Sequence, residues 1–226
     1  MNHQGTLHPA TVVRVNGVGD ELFELSLEVS PVVAQSFTAP GQFHLLRAGG
    51  GEAKPFAIAN APGRAPLEYL VRRGFPTADA LARPGATVTA GVAEGRGFPL
   101  EEARGRDLLL VTTGTGLAPM RSVLQVALPR RRDFGRLTLL LGGSRPDDLG
   151  WQQEWPKWRN DGVELITSVL HAPPGWSGHR AHLVTLLPDG LERTSVFLVG
   201  SDELVAEVRH ALLSKGHDPH HLHLNV

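Results

Sequence analysis

The segment VTTGTGLAPMRSVL, residues 111–124, is where residue types and spacing in this sequence most directly suggest chemistry. An apolar run ends at Thr113, Gly114 and Gly116 form a turn, and a helical stretch follows in which Pro119 suits the first turn. Unpaired N–H groups and the positive dipole end of a helix favour phosphate, and glycines let a pyrophosphate approach the backbone without a Cβ clash. The same pattern also fits a tight turn between strand and helix that binds no ligand.

The first hundred residues form short strand-like runs separated by Gly, Pro and Asn. Many short strands joined by turns favour an antiparallel barrel or sandwich. One interruption, TADALAR, predicts a short helix with Thr77 as its N-cap. The strand-like runs are ATVVRVNGV, ELFELSLEV, QFHLLR, LEYLVRR and ATVTAGV.

The pattern changes near Arg104, where continuous apolar runs begin to alternate with helical stretches. Such alternation predicts βαβ units around a parallel sheet, and the domain boundary is expected within residues 100–106. HRAHLVTLL is expected to be a helix, and DDLGWQQEWPKW a helix broken by Pro156. The predicted strands are DLLLVTT, RLTLLLGG, VELITSVL, TSVFLVG and HLHLNV.

Charge and composition exclude several classes of function. The 22 basic and 23 acidic side chains give a formal net charge of −1, so there is no overall basic field for nucleic acid or an anionic membrane. Cysteine is absent, which excludes disulfides, thiolate nucleophiles and Cys-ligated iron–sulfur clusters within this sequence. No run reaches about 18 apolar residues and no signal-peptide pattern is present, so we expect a cytoplasmic protein without a membrane span.

The ordered set of motifs resembles the ferredoxin–NADP reductase-like flavoproteins over nearly the whole sequence. GTGLAPM resembles that family's nicotinamide-nucleotide turn, and PGQFHLLR followed by KPFAIANAP resembles its flavin-binding strands. The resemblance implies an FAD-binding antiparallel β-barrel at residues 1–103 and an NAD(P)-binding, doubly wound α/β domain at residues 104–226. Hydride would pass between NAD(P)H and FAD, and electrons would go to a separate ferredoxin, haem protein or oxygenase component.

The flavin strand departs from the family pattern Arg-x-Tyr-Ser. The matching positions are Lys54, Phe56 and Ala57, which keep a charge and an aromatic face but lose the bidentate fork and both hydroxyls. The resemblance gives Phe56 and Ala57 the catalytic positions beside the flavin ring, while Gly74 and Thr77 would hold the pyrophosphate. The full set implied for the flavin is Lys54, Pro55, Phe56, Ala57, Ile58, Arg72, Gly74 and Thr77.

On the nicotinamide side, the family's Cys-Gly pair is replaced by Val199-Gly200, followed by Ser201. Ser201 is expected to be a helix N-cap more than a catalytic group. Ser144 and Arg145 suit a 2′-phosphate and favour NADPH, while the nearby Asp147 and Asp148 would suit the free ribose hydroxyl of NADH and leave that alternative open. The set implied for the nucleotide is Thr113, Gly114, Gly116, Leu117, Ala118, Pro119, Met120, Ser144, Arg145, Gly200 and Ser201.

Other features have two interpretations each. The histidines near the C-terminus suggest a metal site only weakly, and we expect none. The run from Arg130 to Arg132 is either a solvated helix end or a docking site for an acidic partner. Trp151, Trp155 and Trp158 share a helical face, which favours core packing over a partner patch.

The substitutions in the flavin motif leave a second hypothesis for function. A catalytically weakened or flavin-free nucleotide-binding subunit of a redox complex would also carry these motifs. A third hypothesis is an interaction module that uses the fold as a scaffold.

Restoring the missing hydroxyl should accelerate flavin reduction. Loss of one polarising donor raises an activation barrier by about 2–4 kcal/mol, so we expect Ala57→Ser to reduce its flavin faster than the wild type. Stopped-flow absorbance with NAD(P)H measures this rate. No acceleration in Ala57→Ser would count against the role given to position 57.

Overall fold

A computed structural model describes residues 6–49 and 51–225. These residues form two compact units. The first holds the described residues up to Gly97 together with Ala118–Gln125, and the second holds Phe98–Leu117 with the described residues from Val126. The start of the stretch inspected for a signal peptide, residues 1–5, and the end of the last predicted strand, Val226, lie outside the described residues.

The first unit is built on an antiparallel sheet. Among its described residues the strand order is β4-β3-β6-β1-β2-β5, and every paired neighbour is antiparallel. The strands are β1 (His8–Gly17), β2 (Leu22–Val29), β3 (Phe43–Arg47), β4 (Lys54–Ala57), β5 (Leu67–Arg72) and β6 (Thr87–Ala90). Two short helices, α1 (Pro31–Ser36) and α2 (Pro76–Leu81), interrupt them.

The two edge strands of this sheet meet and close it. Ile58, just after β4, forms an antiparallel bridge with Tyr69 on β5, and the Ala59 N–H donates to the Glu68 carbonyl at 2.7 Å. Closure removes the exposed strand edges and encloses an apolar core that includes Phe23, Leu25 and Ile58. The predicted antiparallel barrel is therefore confirmed.

The position of α2 corrects one prediction. Thr77 is not the N-cap, because the helix begins at Pro76 and the extended residue Phe75 precedes it. Proline at the first helical position has a suitable φ and lacks only an N–H that would have no partner there. Thr77 consequently lies inside the first turn and is buried.

The second unit is built on a parallel sheet, which confirms the predicted α/β class. Its strands are β7 (Asp107–Thr113), β8 (Leu137–Gly143), β9 (Val163–Val169), β10 (Thr194–Val199) and β11 (Leu222–Leu224). Within the described residues their order is β11-β10-β7-β8-β9. The chain runs outward from β7 to β9 and then returns to β10 on the other side of β7, so the direction of winding reverses between β7 and β10. The helices of this unit are α4 (Trp155–Asn160) and α5 (Asp202–Ser214). The helix α3 (Leu117–Ala127) follows β7, and its residues Ala118–Gln125 belong to the first unit.

Two helix predictions in this unit were wrong. HRAHLVTLL forms only a 3₁₀ turn at Leu183–Leu186, because Ala181 is held by both hydrogen bonds to the Ser168 hydroxyl and Pro188 follows. Pro156 does not break a helix: it lies in the first turn of α4. Within DDLGWQQEWPKW, the chain turns before α4 at Trp151, which has a left-handed φ of 52°.

Contacts show where two surface features of the sequence lie in the fold. Trp151, Trp155 and Trp158 are all buried, which confirms core packing. Arg130 pairs with both Glu101 and Asp133, so its charge is engaged within the second unit. The Arg130 guanidinium also lowers the pKa of the Glu101 carboxyl.

Two general properties follow from the described residues. None of their helices has the length and apolar character needed to cross a lipid bilayer. Over residues 6–49 and 51–225, no three His, Asp or Glu side chains converge as a group that could hold a metal ion.

The barrel core contains one buried polar pair that should make stability depend on pH. His44 Nδ1 lies 2.7 Å from the Tyr69 hydroxyl, and burial lowers the pKa of His44 to about 4. An unfolded chain binds a proton at His44 near pH 6.5 while the folded chain does not, so stability is full above that pH and falls as the pH drops towards 4.

We expect the titration of His44 to lower the free energy of unfolding by about 3 kcal/mol between pH 7 and pH 4. His44→Gln, which keeps an uncharged acceptor for Tyr69, should lose correspondingly less over the same range. Urea unfolding at a series of pH values measures both. Equal pH dependence in the two proteins would contradict the assignment.

Candidate functional site

The carboxyl edge of the parallel sheet brings together the three segments that the sequence predicted for the nucleotide. In the sheet register Val199 lies beside Thr112, and Thr113 lies beside Gly142. The turns that leave β7, β8 and β10 therefore start at neighbouring points on one edge. This edge includes the place where the winding reverses, which in open α/β sheets is where ligands bind.

The turn after β7 owes its shape to two glycines with different roles. Gly114 has a positive φ of 54°, which a side chain disfavours, and opens the 3₁₀ turn Gly114–Gly116. A Cβ on Gly116 would lie 2.4 Å from Thr112 Oγ1 and 3.0 Å from Val199 Cγ1. The sequence suggested that both glycines admit a ligand; at Gly116 the missing side chain also lets the start of α3 pack closely on the ends of β7 and β10.

Thr112 places a hydroxyl at the same point. Its side chain is fully buried, and its Oγ1 has no hydrogen-bond partner among the described residues. A buried polar atom without a partner is unfavourable in a folded protein. The turn thus combines close backbone packing with one unsatisfied hydroxyl.

The residues that open α3 contribute their backbone to this turn. Leu117, Ala118, Pro119 and Met120 are all buried, so their side chains pack against the protein. Pro119 lies in the first turn of the helix, as the sequence predicted. The Leu117 N–H is bonded within the turn, to the Gly114 and Thr115 carbonyls.

The turn after β10 carries Gly200 and Ser201. A Cβ on Gly200 would meet Leu204 Cδ2 at 2.5 Å and Thr113 Oγ1 at 3.3 Å, so the β7 and β10 ends are in close contact. Ser201 is the N-cap of α5, since its hydroxyl accepts from the Leu204 N–H at 3.3 Å. This confirms the capping prediction and gives the hydroxyl a structural partner.

The turn after β8 presents Ser144 and Arg145 on the surface. Both backbone N–H groups donate to the same Asp148 carboxylate oxygen, each at 2.9 Å. The His171 N–H donates to the Ser144 carbonyl at 2.8 Å and fixes the turn from the β9 side. Asp148 therefore shapes this turn through its backbone, while the side chains of Ser144 and Arg145 are exposed.

In the first unit, β4 distributes its predicted flavin residues over two faces. Phe56 is buried in the barrel core and stacks on Phe75 at a centroid distance of 6.4 Å. Ala57 is half-buried on the opposite face, because neighbouring residues of a strand alternate. Lys54 and Pro55 are exposed, and the Lys54 ammonium pairs with Glu52 at 3.0 Å.

The entry to α2 is open on one side and packed on the other. Gly74 has a φ of 95°, and a Cβ there would meet no atom within 4 Å. Arg72 pairs with Glu21 at 2.6 Å. On the packed side, a Cβ on Gly51 would lie 3.7 Å from Thr77 Oγ1. Gly49 and Gly51 are absent from the predicted flavin set, although glycines at these positions are a visible signal for a close backbone approach.

The first unit also contains a polar contact that sequence reasoning missed. Arg121 is buried, its Nη1 lies 2.7 Å from Glu68 Oε2, and the same nitrogen donates to the Ala59 carbonyl at 3.3 Å. Ser122 Oγ donates to the Asn60 carbonyl at 2.8 Å. These contacts fix the chain that follows β4. A basic residue in the otherwise apolar start of α3 was the available signal.

Comparison with known proteins agrees with this geometry. The family model described as an oxidoreductase NAD-binding domain matches residues 110–210. The chain is 30% identical to ferredoxin–NADP reductase B of Sorangium cellulosum over 88% of each chain. It is 29% identical to the sulfhydrogenase 1 gamma subunit of Pyrococcus furiosus over 97% of this chain and 79% of that subunit.

A solved structure shows the same fold. The ferredoxin NADP⁺ reductase from Neisseria gonorrhoeae, solved with bound FAD and NADP, superposes with a TM-score of 0.84. It is 19% identical in sequence, and the match covers 98% of each chain.

Filling the space at Gly116 should disturb the turn. We expect Gly116→Ala to lower the free energy of unfolding by about 1–3 kcal/mol, because the new methyl overlaps Thr112 and Val199. Adding Thr112→Ala should recover part of the loss by removing the nearest atom. Gly17→Ala is the control, since a Cβ there meets nothing within 4 Å. Equal denaturation midpoints for Gly116→Ala and the wild type would contradict this account.

Proposed function

The chain belongs to the ferredoxin–NADP reductase-like flavoproteins, and from this premise we propose that it is an NAD(P)H-dependent flavin oxidoreductase. When bound, the two cofactors supply hydride transfer between nicotinamide and FAD, followed by electron transfer to a separate protein. The observation that carries the proposal is the turn at the winding reversal, where Gly114, Gly116 and Gly200 bring three backbone segments close together.

The residues present fit a nicotinamide nucleotide. Thr113 and the backbone of Gly114 and Gly116, followed by Leu117 and Ala118 at the start of α3, would hold the diphosphate, with Gly200 and Ser201 beside them. Pro119 and Met120 would support that turn from within the helix. The unsatisfied Thr112 hydroxyl at the turn is consistent with a polar ligand nearby. The chain itself would fix the diphosphate, and its glycines would keep side chains away from the turn.

Ser144 and Arg145 support NADPH as the preferred coenzyme. A hydroxyl and a guanidinium suit a 2′-phosphate, which an exposed carboxylate would repel. Of the two nearby acidic residues, Asp148 directs a carboxylate oxygen at the N–H groups of its own turn, while Asp147 is exposed. The engagement of Asp148 favours the phosphate, and a preference for NADH would instead point to Asp147 as the ribose contact.

The residues present also fit FAD, with one change of role. Gly74 leaves open space at the entry to α2, where Thr77 and the first-turn N–H groups would meet a diphosphate. The flavin ring would lie on the face of β4 that carries Ala57, with Lys54, Pro55 and Arg72 at its margins. Phe56 and Ile58 are buried, so we assign them to supporting the strand from behind.

We propose residues 1–103 as the FAD-binding part of the chain and residues 104–226 as the NAD(P)-binding part. The sequence contains no cysteine, so it has no ligands for a Cys-held iron–sulfur cluster of its own. Electrons would therefore leave to a separate redox protein: a ferredoxin, a haem protein or an oxygenase component. The similarity to a sulfhydrogenase gamma subunit supports a role within a larger redox complex.

A second candidate is a nucleotide-binding subunit that has lost its flavin. Lys54, Phe56 and Ala57 replace the family's flavin-contacting residues, and Phe56 is turned into the barrel core. In that case the nucleotide turn would be retained and the first unit would serve as a scaffold.

Absorption spectroscopy separates the two candidates. Purified protein incubated with FAD and desalted should retain flavin bands near a 1:1 ratio, and adding NADPH without oxygen should bleach them. The kcat/KM for NADPH with an artificial electron acceptor should exceed that for NADH. A colourless protein that takes up no FAD but still binds NADPH would establish the flavin-free subunit instead.

A further inference from the structure

A hydrogen bond crosses the barrel interior directly behind the strand proposed to hold the flavin. β3 pairs with one edge of β4, and the bridge between Ile58 and Tyr69 places β5 at the other edge. His44 lies on β3 and Tyr69 on β5, and their side chains meet at 2.7 Å with ring centroids 6.1 Å apart. The bond thus joins the two neighbours of β4 to each other.

The register places this bond behind a definite part of β4. His44 lies opposite Phe56, and Tyr69 lies opposite Ile58. Ala57 is the residue between these two points, and its side chain faces away from the core. The bond therefore spans the segment from Phe56 to Ile58 on the side opposite the proposed flavin face.

Packing alone does not explain a polar pair such as His44 and Tyr69 in this part of the core. His44 and Tyr69 are both 0% exposed, and the His44 Nε2 has no partner in the described part of the chain. Burial lowers the pKa of His44 and raises the pKa of Tyr69, so both groups are uncharged at neutral pH. Two apolar side chains of similar shape would fill the space without leaving a polar nitrogen unpaired.

We infer that His44 and Tyr69 are positioning residues that hold β4 and Ile58 in the geometry needed to bind the flavin ring. The inference rests on the proposed function, which assigns the flavin to this strand. Neither side chain reaches the outer face, so they act only through the backbone from Phe56 to Ile58.

Removing the Tyr69 hydroxyl tests the inference. We expect Tyr69→Phe to raise the Kd for FAD by about fivefold to tenfold, as loss of a buried hydrogen bond does, and to shift the visible bands of the bound flavin. His44→Gln, which keeps an acceptor for the Tyr69 hydroxyl, should bind FAD within about twofold of the wild type. In the protein without FAD, amide exchange of the peptide spanning residues 54–58 should accelerate in Tyr69→Phe.

A matched control separates positioning from general loss of stability. Val12→Ala also truncates a buried core side chain, and it lies on β1, which adjoins none of β3, β4 and β5. Chemical denaturation measures the stability of each variant. If Val12→Ala loses about as much stability as Tyr69→Phe, it should still leave unchanged the Kd for FAD, the flavin bands and the amide exchange of residues 54–58.

Each outcome decides between two statements. If Tyr69→Phe binds FAD with the wild-type Kd and spectrum, or if Val12→Ala weakens binding as much, the pair is merely structural and the inference is overturned. If the wild type itself takes up no FAD, the proposed function fails and the inference fails with it. Weaker FAD binding and faster amide exchange of residues 54–58 in Tyr69→Phe, without either change in Val12→Ala, support both the inference and the proposed function.

Discussion

The second unit depends on one steric constraint, the absence of a side chain at Gly116. Strands β7 and β10 are far apart in the sequence but lie side by side in the sheet. The start of α3 must pass close to the carboxyl ends of both strands. A single methyl at Gly116 would overlap Thr112 and Val199. Because this glycine carries no side chain, the helix begins directly at the sheet edge, where the winding reverses.

The first unit solves a different problem, which is to hold a short strand firmly while leaving one face available. β4 has only four residues, and its neighbours on both sides are needed to fix it. The bridge at Ile58, the buried pair of His44 and Tyr69, and the contacts of Arg121 beyond the strand all act on the same stretch of chain. The binding surface proposed for β4 would need such support from behind.

Much of the fold was predictable because it rests on local patterns. Continuous apolar runs such as DLLLVTT give buried parallel strands, and short alternating runs broken by Gly and Pro give the barrel. The wrong secondary-structure predictions lie where contacts elsewhere in the fold outweigh the local helix propensity. HRAHLVTLL has a helical appearance, but Ala181 is tied to Ser168 before the helix could begin. At α2 and α4 the prolines begin helices, so the boundaries moved by a residue or more.

The sequence by itself determined which chemistry is available: glycines and a helix start for a diphosphate, a hydroxyl and a guanidinium for a further phosphate, and no cysteine for a cluster. Only the tertiary structure decided which of these groups are buried in the fold and which lie at the surface. Phe56 is buried in the barrel core, and Gly116 lets its turn pack on Thr112 and Val199. His44 met Tyr69 from 25 positions away, and Arg121 met Glu68 from 53. Contacts at such separations depend on strand pairing and packing, which no local pattern of residues encodes.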